Sequence, residues 1–227
     1  MTTNRLLVIG NWKMNLDFVE AVHLGQQIGV ILKNRPAEHT DIVVVPPFVD
    51  LRSVTSIVDS ERIAVQVGAQ HVSANDNGAF TGEVSTSMLT RLGVTWVLVG
   101  HSERRTMYHM DDDVVASTLR AVVASGLNVV LCVGESSDVR DHDEQNDFVS
   151  AQLHSALGGL DEKYFEQVAL AYEPIWAIGT GRTAEGEQIR AMTRHIRSVV
   201  GAMGMAGRRV LYGGSVSPEN AASIVTD

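Results

Sequence analysis

The 227-residue chain has one cysteine, Cys132, so it can form no internal disulfide and lacks the several thiolates a cysteine-based zinc site needs. A single thiol fits a reducing compartment. Long apolar runs are missing as well. Met1–Asn4 is polar and Arg5–Gly10 holds only a short apolar stretch, too short for the apolar region of a signal peptide or for a membrane span. The expected location is the cytoplasm. Positive charge is scarce: 18 Lys and Arg against 27 Asp and Glu leave a formal net charge of −9. Nucleic acids and anionic membranes are themselves negative, so neither is an expected partner, and any anion bound must be held locally. The histidines other than His101 (His23, His39, His71, His109, His142, His154 and His195) form no HxH or HExxH pattern and no pair with a carboxylate at ligand spacing. A metal-dependent mechanism is not expected. No proline-rich or serine-rich linker divides the chain, and there is no internal repeat beyond an architectural one.

Hydrophobic residues make up 44% of the chain, enough to bury one sizeable core, and residues 1–227 read as a single domain. Short β-branched, apolar runs at Leu6–Ile9, Asp41–Val45, Ile63–Gln66, Trp96–Val99, Asn128–Cys132, Val168–Tyr172 and Arg209–Tyr212 read as strands. Their near-continuous hydrophobicity suits strands covered on both faces, as in parallel sheets. Between them, Phe18–Lys33, Asp50–Ser60, Ser85–Leu92, Asp113–Ser125, Glu144–Leu157 and Glu185–Val200 show helical spacing of apolar residues. Serial βα units predict an α/β fold, either an open doubly wound sheet or a closed (β/α)8 barrel. In a barrel, polar functional residues should collect at the C-terminal ends of several strands. The loop His71–Glu83, rich in Asn, Asp, Gly and Ser, is too long for an idle connection.

Four strand ends carry candidate chemistry. After the first come Asn11 and Lys13, two positions apart, so that extended backbone would point both side chains to one side; a solvated loop lysine is the alternative. After the fourth, His101 follows Gly100 and reads either as an acid or electrophile or as a structural histidine. Glu103, Arg104 and Arg105 read as a helix-start acid and surface charges, Arg105 most simply so. After the sixth, Glu173 ends an apolar strand, where partial desolvation raises the basicity of a carboxylate towards what proton abstraction requires. The segment behind it, Pro174 to Thr183, is apolar at Ile175, Trp176, Ala177 and Ile178 and reaches Gly179 and Gly181, like a rigid tip between hinges. After the seventh, Gly213 and Gly214 let backbone N–H groups approach an anion, and Ser215 adds a donor. Ser217 and Pro218 fit the N-cap and first position of a helix, and an ordinary tight turn is the alternative reading of the stretch. Cys132, among Val129, Val130, Leu131 and Val133, reads as an inert core thiol, and His142 sits in an acidic stretch, Asp138–Asp147, that reads as a solvated loop and helix start.

The stretches GNWKMN, VGAQ, GAFTGE, VLVGHSERR, AYEPIWAIGTG and YGGSV, in this order, resemble the triosephosphate isomerase family across essentially the whole chain. The resemblance implies a TIM (β/α)8-type barrel and a cofactor-independent aldose–ketose isomerase of glycolysis and gluconeogenesis. It would interconvert dihydroxyacetone phosphate and glyceraldehyde 3-phosphate through an enediolate. The family is a standing example of a glutamate base paired with a neutral histidine electrophile beneath a closing loop. Carried onto this chain, Glu173 moves the proton while His101 and Lys13 polarise the substrate oxygens. Asn11 contacts substrate, Gly179 gives its amide to the phosphate, and Gly213, Gly214 and Ser215 bind the phosphate from their own loop. Glu103 would order Lys13, and Thr81 would reach the partner's active site from the long loop in a homodimer. Two departures stand out. The family has asparagine where this chain has His71, and it continues into an eighth strand, a second Gly-Gly phosphate loop and an eighth helix, whereas seven strands are evident before Asp227. The expectation is a barrel truncated at its C-terminus. The alternative is an inactive or weakened remnant lacking the second half of the phosphate site. Another phosphosugar barrel, an indole- or ribulose-phosphate enzyme, is opposed by the lid stretch.

Overall fold

The computed structural model describes residues 5–178 and 184–226. Seven strands alternate with helices in chain order: β1 Leu6–Asn11, β2 Thr40–Val45, β3 Gln66–Ala69, β4 Trp96–Val99, β5 Asn128–Val133, β6 Val168–Tyr172 and β7 Val210–Tyr212. The helices are α1 Phe18–Asn34, α2 Leu51–Glu61, α3 Thr86–Arg91, α4 Ser102–Met107, α5 Asp112–Ala124, α6 Ser137–Asp141, α7 Gln145–Leu157, α8 Gly186–Ala202 and α9 Ala221–Thr226. The chain divides into two compact units, one of residues up to 98 with 121–128 and one of residues 99–120 with those from 129 onward.

In the first unit β1, β2, β3 and β4 pair in parallel, with Leu6 opposite Thr40, Val43 opposite Gln66 and Gly68 opposite Trp96. Helix α1 begins where Asp17 accepts the N–H groups of Val19 and Glu20 while Glu20 accepts that of Asp17, a reciprocal cap that satisfies otherwise orphaned donors. Helix α2 ends at Arg62, whose φ of 52° turns the chain left-handed, and Ile63 then bonds back to Val58. That bond displaces the third strand. Its expected span, Ile63–Gln66, begins as a helix-closing turn, and the ladder runs over Gln66–Ala69 instead. Apolarity marked Ile63 correctly as buried but not as strand, while Gly68, a weak strand former alone, fits between Val43, Val45 and Trp96, and Ala69 is fully buried.

In the second unit β5, β6 and β7 pair in parallel, with Val133 opposite Tyr172 and Tyr172 opposite Tyr212. Strands β4 and β6 are buried throughout, and β5 is buried after Asn128, as double-sided cover requires. Strand β1 departs from that reading: Leu6 and Val8 are exposed. Most other helix and strand boundaries fall within two residues of those predicted. The seventh strand is followed by a turn over 218–220 that leads into α9 at Ala221; the Ser217 carbonyl accepts the Ala221 N–H, so the chain begins to coil at Ser217 and Pro218.

Candidate active site

Glu173 is the first residue beyond β6, and its N–H still bonds to Val133, so the β5–β6 ladder fixes its backbone. Gly134 lies across from it. A Cβ on Gly134 would collide with the Glu173 carbonyl, and the Gly134 N–H is held by the buried Gln152 side chain at 2.9 Å. On the next strand Gly213 packs against the other side, where a Cβ would lie 2.9 Å from Glu173 Cγ. Two glycines thus make room for one residue, Gly134 for the Glu173 backbone and Gly213 for its side chain.

Glu173 is 3% exposed. Its Oε2 accepts the Ser102 N–H at 2.8 Å, and its Oε1 lies 3.2 Å from His101 Nε2. His101 caps α4, its Nδ1 accepting the Glu103 N–H at 3.3 Å. A ring nitrogen that accepts a backbone N–H carries no proton, so the imidazole is neutral with its proton on Nε2, facing Glu173. Burial raises the Glu173 pKa above its ordinary value, opposed by His101 and by the Ser102 N–H. The result is a carboxylate removed from water, made more basic by burial and hydrogen-bonded by the Ser102 N–H. Cys132 is buried beside it, its thiol pushed well up by burial and then by the Glu173 charge, with Arg105 opposing.

A second buried carboxylate, Glu135, lies just past the end of β5 and was not singled out from sequence. Its Oε1 accepts from Arg140 at 2.7 Å, Tyr172 Oη at 2.9 Å and Trp176 Nε1 at 2.8 Å, while the Arg140 guanidinium stacks 4.6 Å from the Trp176 ring. The clue was available: a polar residue after a glycine at a strand end, as at His101. The stretch Asp138–Asp147 does hold a helix start, that of α7 at Gln145, and it also overlaps α6, whose Arg140 turns inward. Trp176 belongs to a 3-10 turn, Ile175–Ala177, and packs with Ala177 and Ala184. The apolar residues that read as a rigid tip are thus, at Trp176 and Ala177, the buried stem of the segment. Gly179, and the lid through Thr183, lie outside the described residues.

In the loop after β7, Gly214 packs on Tyr212, and Asn220 ties the turn by accepting from Ser217 N–H at 2.7 Å and donating to the Ser215 carbonyl at 3.1 Å. In the first unit, Asn11 Oδ1 accepts the Lys13 N–H at 2.9 Å, and the Gln70 amide donates to the carbonyls of Lys13 at 2.6 Å and Val45 at 3.2 Å. Lys13 has φ 53°, a left-handed backbone sparsely populated by side-chain-bearing residues. The parity that would have aligned Asn11 and Lys13 thus does not apply, because Lys13 is not extended. The loop His71–Glu83 closes through Ser73 N–H to Val84 and Glu83 N–H to Phe80, with His71 Nε2 3.8 Å from Glu83 Oε2 and Thr81 exposed. Arg105 is no surface charge: it is largely buried and bonds to the Gly100 carbonyl. Among the described residues no group of His, Cys, Asp and Glu could hold a metal ion, and no helix is long and apolar enough to cross a membrane.

The sequence profile described as triosephosphate isomerase matches residues 6–227. Curated relatives of that name include one from Rhodococcus jostii, 44% identical over 96% of this chain and 85% of its own length. Others are from Mycolicibacterium vanbaalenii, 44% identical over 96% and 85%, and Corynebacterium efficiens, 41% identical over 97% and 86%. With its serial parallel βα units and a match of this extent, the chain belongs to the triosephosphate isomerase family, which carries the α/β (β/α)8-type barrel fold and isomerase activity.

Proposed function

We propose that this chain interconverts dihydroxyacetone phosphate and glyceraldehyde 3-phosphate, with Glu173 as the base and His101 as the proton donor to oxygen. The observation that carries the reading is the Glu173–His101 pair, a buried carboxylate whose pKa is raised by burial, 3.2 Å from the protonated nitrogen of a neutral imidazole. Glu173 takes a proton from the carbon next to the carbonyl, and the C–H electron pair moves onto that carbonyl as an enediolate. His101 gives its Nε2 proton to the oxygen where charge develops, the other hydroxyl of the enediol returns a proton to that nitrogen, and Glu173 delivers its proton to the neighbouring carbon as the new carbonyl forms. Glu173 Oε2 accepts the Ser102 N–H, and Oε1, beside His101, is left to take the substrate's proton.

The remaining roles belong to the same proposal. Lys13 supplies positive charge and Asn11 a substrate contact, Gly179, Gly213, Gly214 and Ser215 serve the phosphate, and Glu103 orders its neighbours. The chain is read as one barrel domain, cytoplasmic and homodimeric, with Thr81 reaching the partner. Supporting the dimer, the loops after β1, β2 and β3 expose Met14, Val49 and Phe80, at 94%, 83% and 45% of their surface.

A coupled assay of glyceraldehyde 3-phosphate isomerisation tests the reading. Turnover is expected, and Glu173→Asp, which withdraws the carboxylate by about one methylene, should lower kcat by about a hundredfold. Background turnover by a folded dimer would overturn it.

A further inference from the structure

Arg105 touches neither His101 nor Glu173 through any hydrogen bond described above, yet it grips the turn that presents His101. Gly100, with φ 75°, turns the chain between β4 and α4 in a conformation that suits glycine. The Gly100 carbonyl accepts Arg105 Nε at 2.9 Å, and Arg105 Nη1 meets Asp112 Oδ1 at 2.6 Å, so the guanidinium spans from the turn before α4 to the start of α5. The side chain lies across Gly100: a Cβ there would be 3.1 Å from Nη2, and Nη2 is buried without a hydrogen-bond partner among the described residues. A buried donor left unmet is costly, so packing that holds it in place calls for a reason beyond the ion pair. On its other side a Gly100 Cβ would lie 3.2 Å from the Cys132 carbonyl, so the turn is wedged between Arg105 and β5, the strand that also fixes the Glu173 N–H.

Resting on the function proposed above, we propose that Arg105 is a positioning residue for the proton-transfer pair. By clamping the Gly100 carbonyl it sets the peptide plane that leads into His101 and hence the placement of His101 Nε2 and the Ser102 N–H beside the two oxygens of Glu173. Lysine cannot reproduce the grip, because a single ammonium does not present the planar fork that reaches Gly100 and Asp112 at once. Asp112 is the outer anchor. Losing it leaves the Nε bond to Gly100 intact.

The test compares Arg105→Gln, Arg105→Lys and Asp112→Asn with the unaltered protein. It measures kcat, KM and the pH profile for glyceraldehyde 3-phosphate, and the ring ¹⁵N signals of His101 without substrate. Arg105→Gln should lower kcat by about ten- to a hundredfold, as small misplacements of reacting groups do, with KM within about twofold, a displaced acid limb and shifted His101 signals. Arg105→Lys should change each in the same direction by less, and Asp112→Asn should lower kcat by less than about threefold. Wild-type kcat with unmoved His101 signals in either Arg105 variant overturns the proposal, as does a loss in Asp112→Asn equal to that in Arg105→Gln. If Arg105→Gln does not fold, Arg105→Lys decides alone. If the unaltered protein does not turn over, the function proposed above fails, and the His101 signals still decide whether Arg105 positions that ring.

Discussion

Glu135 and Glu173 follow consecutive parallel strands, both are almost wholly removed from water, and yet they are held in opposite ways. Glu135 has a permanent cation, Arg140, together with the Tyr172 hydroxyl and the Trp176 indole, all on one oxygen. Glu173 has one backbone N–H on one oxygen and a neutral imidazole 3.2 Å from the other, and its pKa is raised by burial. A carboxylate locked by a fixed charge becomes an anchor. One held by neutral donors in the same dry interior keeps a proton affinity useful for chemistry.

The contrast can be broken at either end. The largest effect belongs to Glu173→Gln, which should reduce kcat by about a thousandfold while leaving the circular dichroism spectrum unchanged, within the range general bases contribute. Next comes Arg140→Met, which strips the cation from a carboxylate with no solvent exposure; urea denaturation should show a loss of about 3 kcal/mol. Should Arg140→Met leave stability intact, Glu135 is not an anchored charge. Tyr172→Phe removes one of three donors to Glu135 and should cost about 1–2 kcal/mol by the same measurement.

The smallest effect is a pH dependence. A carboxyl whose folded pKa lies above its ordinary value of 4.5 contributes stability that is fully present below 4.5 and lost as pH rises through the folded value. The stability of the unaltered protein minus that of Glu173→Gln should therefore be flat in acid and fall as pH increases. A rise instead would mean that the site prefers the charged carboxylate.

Much of this was legible in the sequence, and the misses share a cause. Glu173 and His101 announced themselves because a polar residue after an unbroken apolar run is an anomaly on one short stretch. Glu135 obeys the same rule, but its meaning depends on Arg140, five residues on in α6, and on Tyr172 and Trp176 from another strand and turn. Such a meeting has no local signature. Lys13 and Ile63 were misjudged for a related reason. Their backbones are set by Gln70, which grips Lys13 from beyond β3, and by the helix end at Arg62, and a periodicity count includes neither. Arg105 read as surface because charge was taken for exposure, when its fork is satisfied largely by a backbone carbonyl and Asp112.

Gly134 has a further consequence for how this chain folds without error. Parallel strands of uniform apolar character, such as Val129–Val133 and Val168–Tyr172, could pair one residue out of step at modest cost in buried surface, and every side chain would then face the wrong way. In the native alignment the Glu173 carbonyl crosses where only a residue without a Cβ can sit, and Gly134 is that residue. A slip by one would bring Val133 or Glu135 to that crossing, and neither fits. The missing Cβ at Gly134 thus favours the one alignment of β5 and β6 in which Glu173 is delivered to the site.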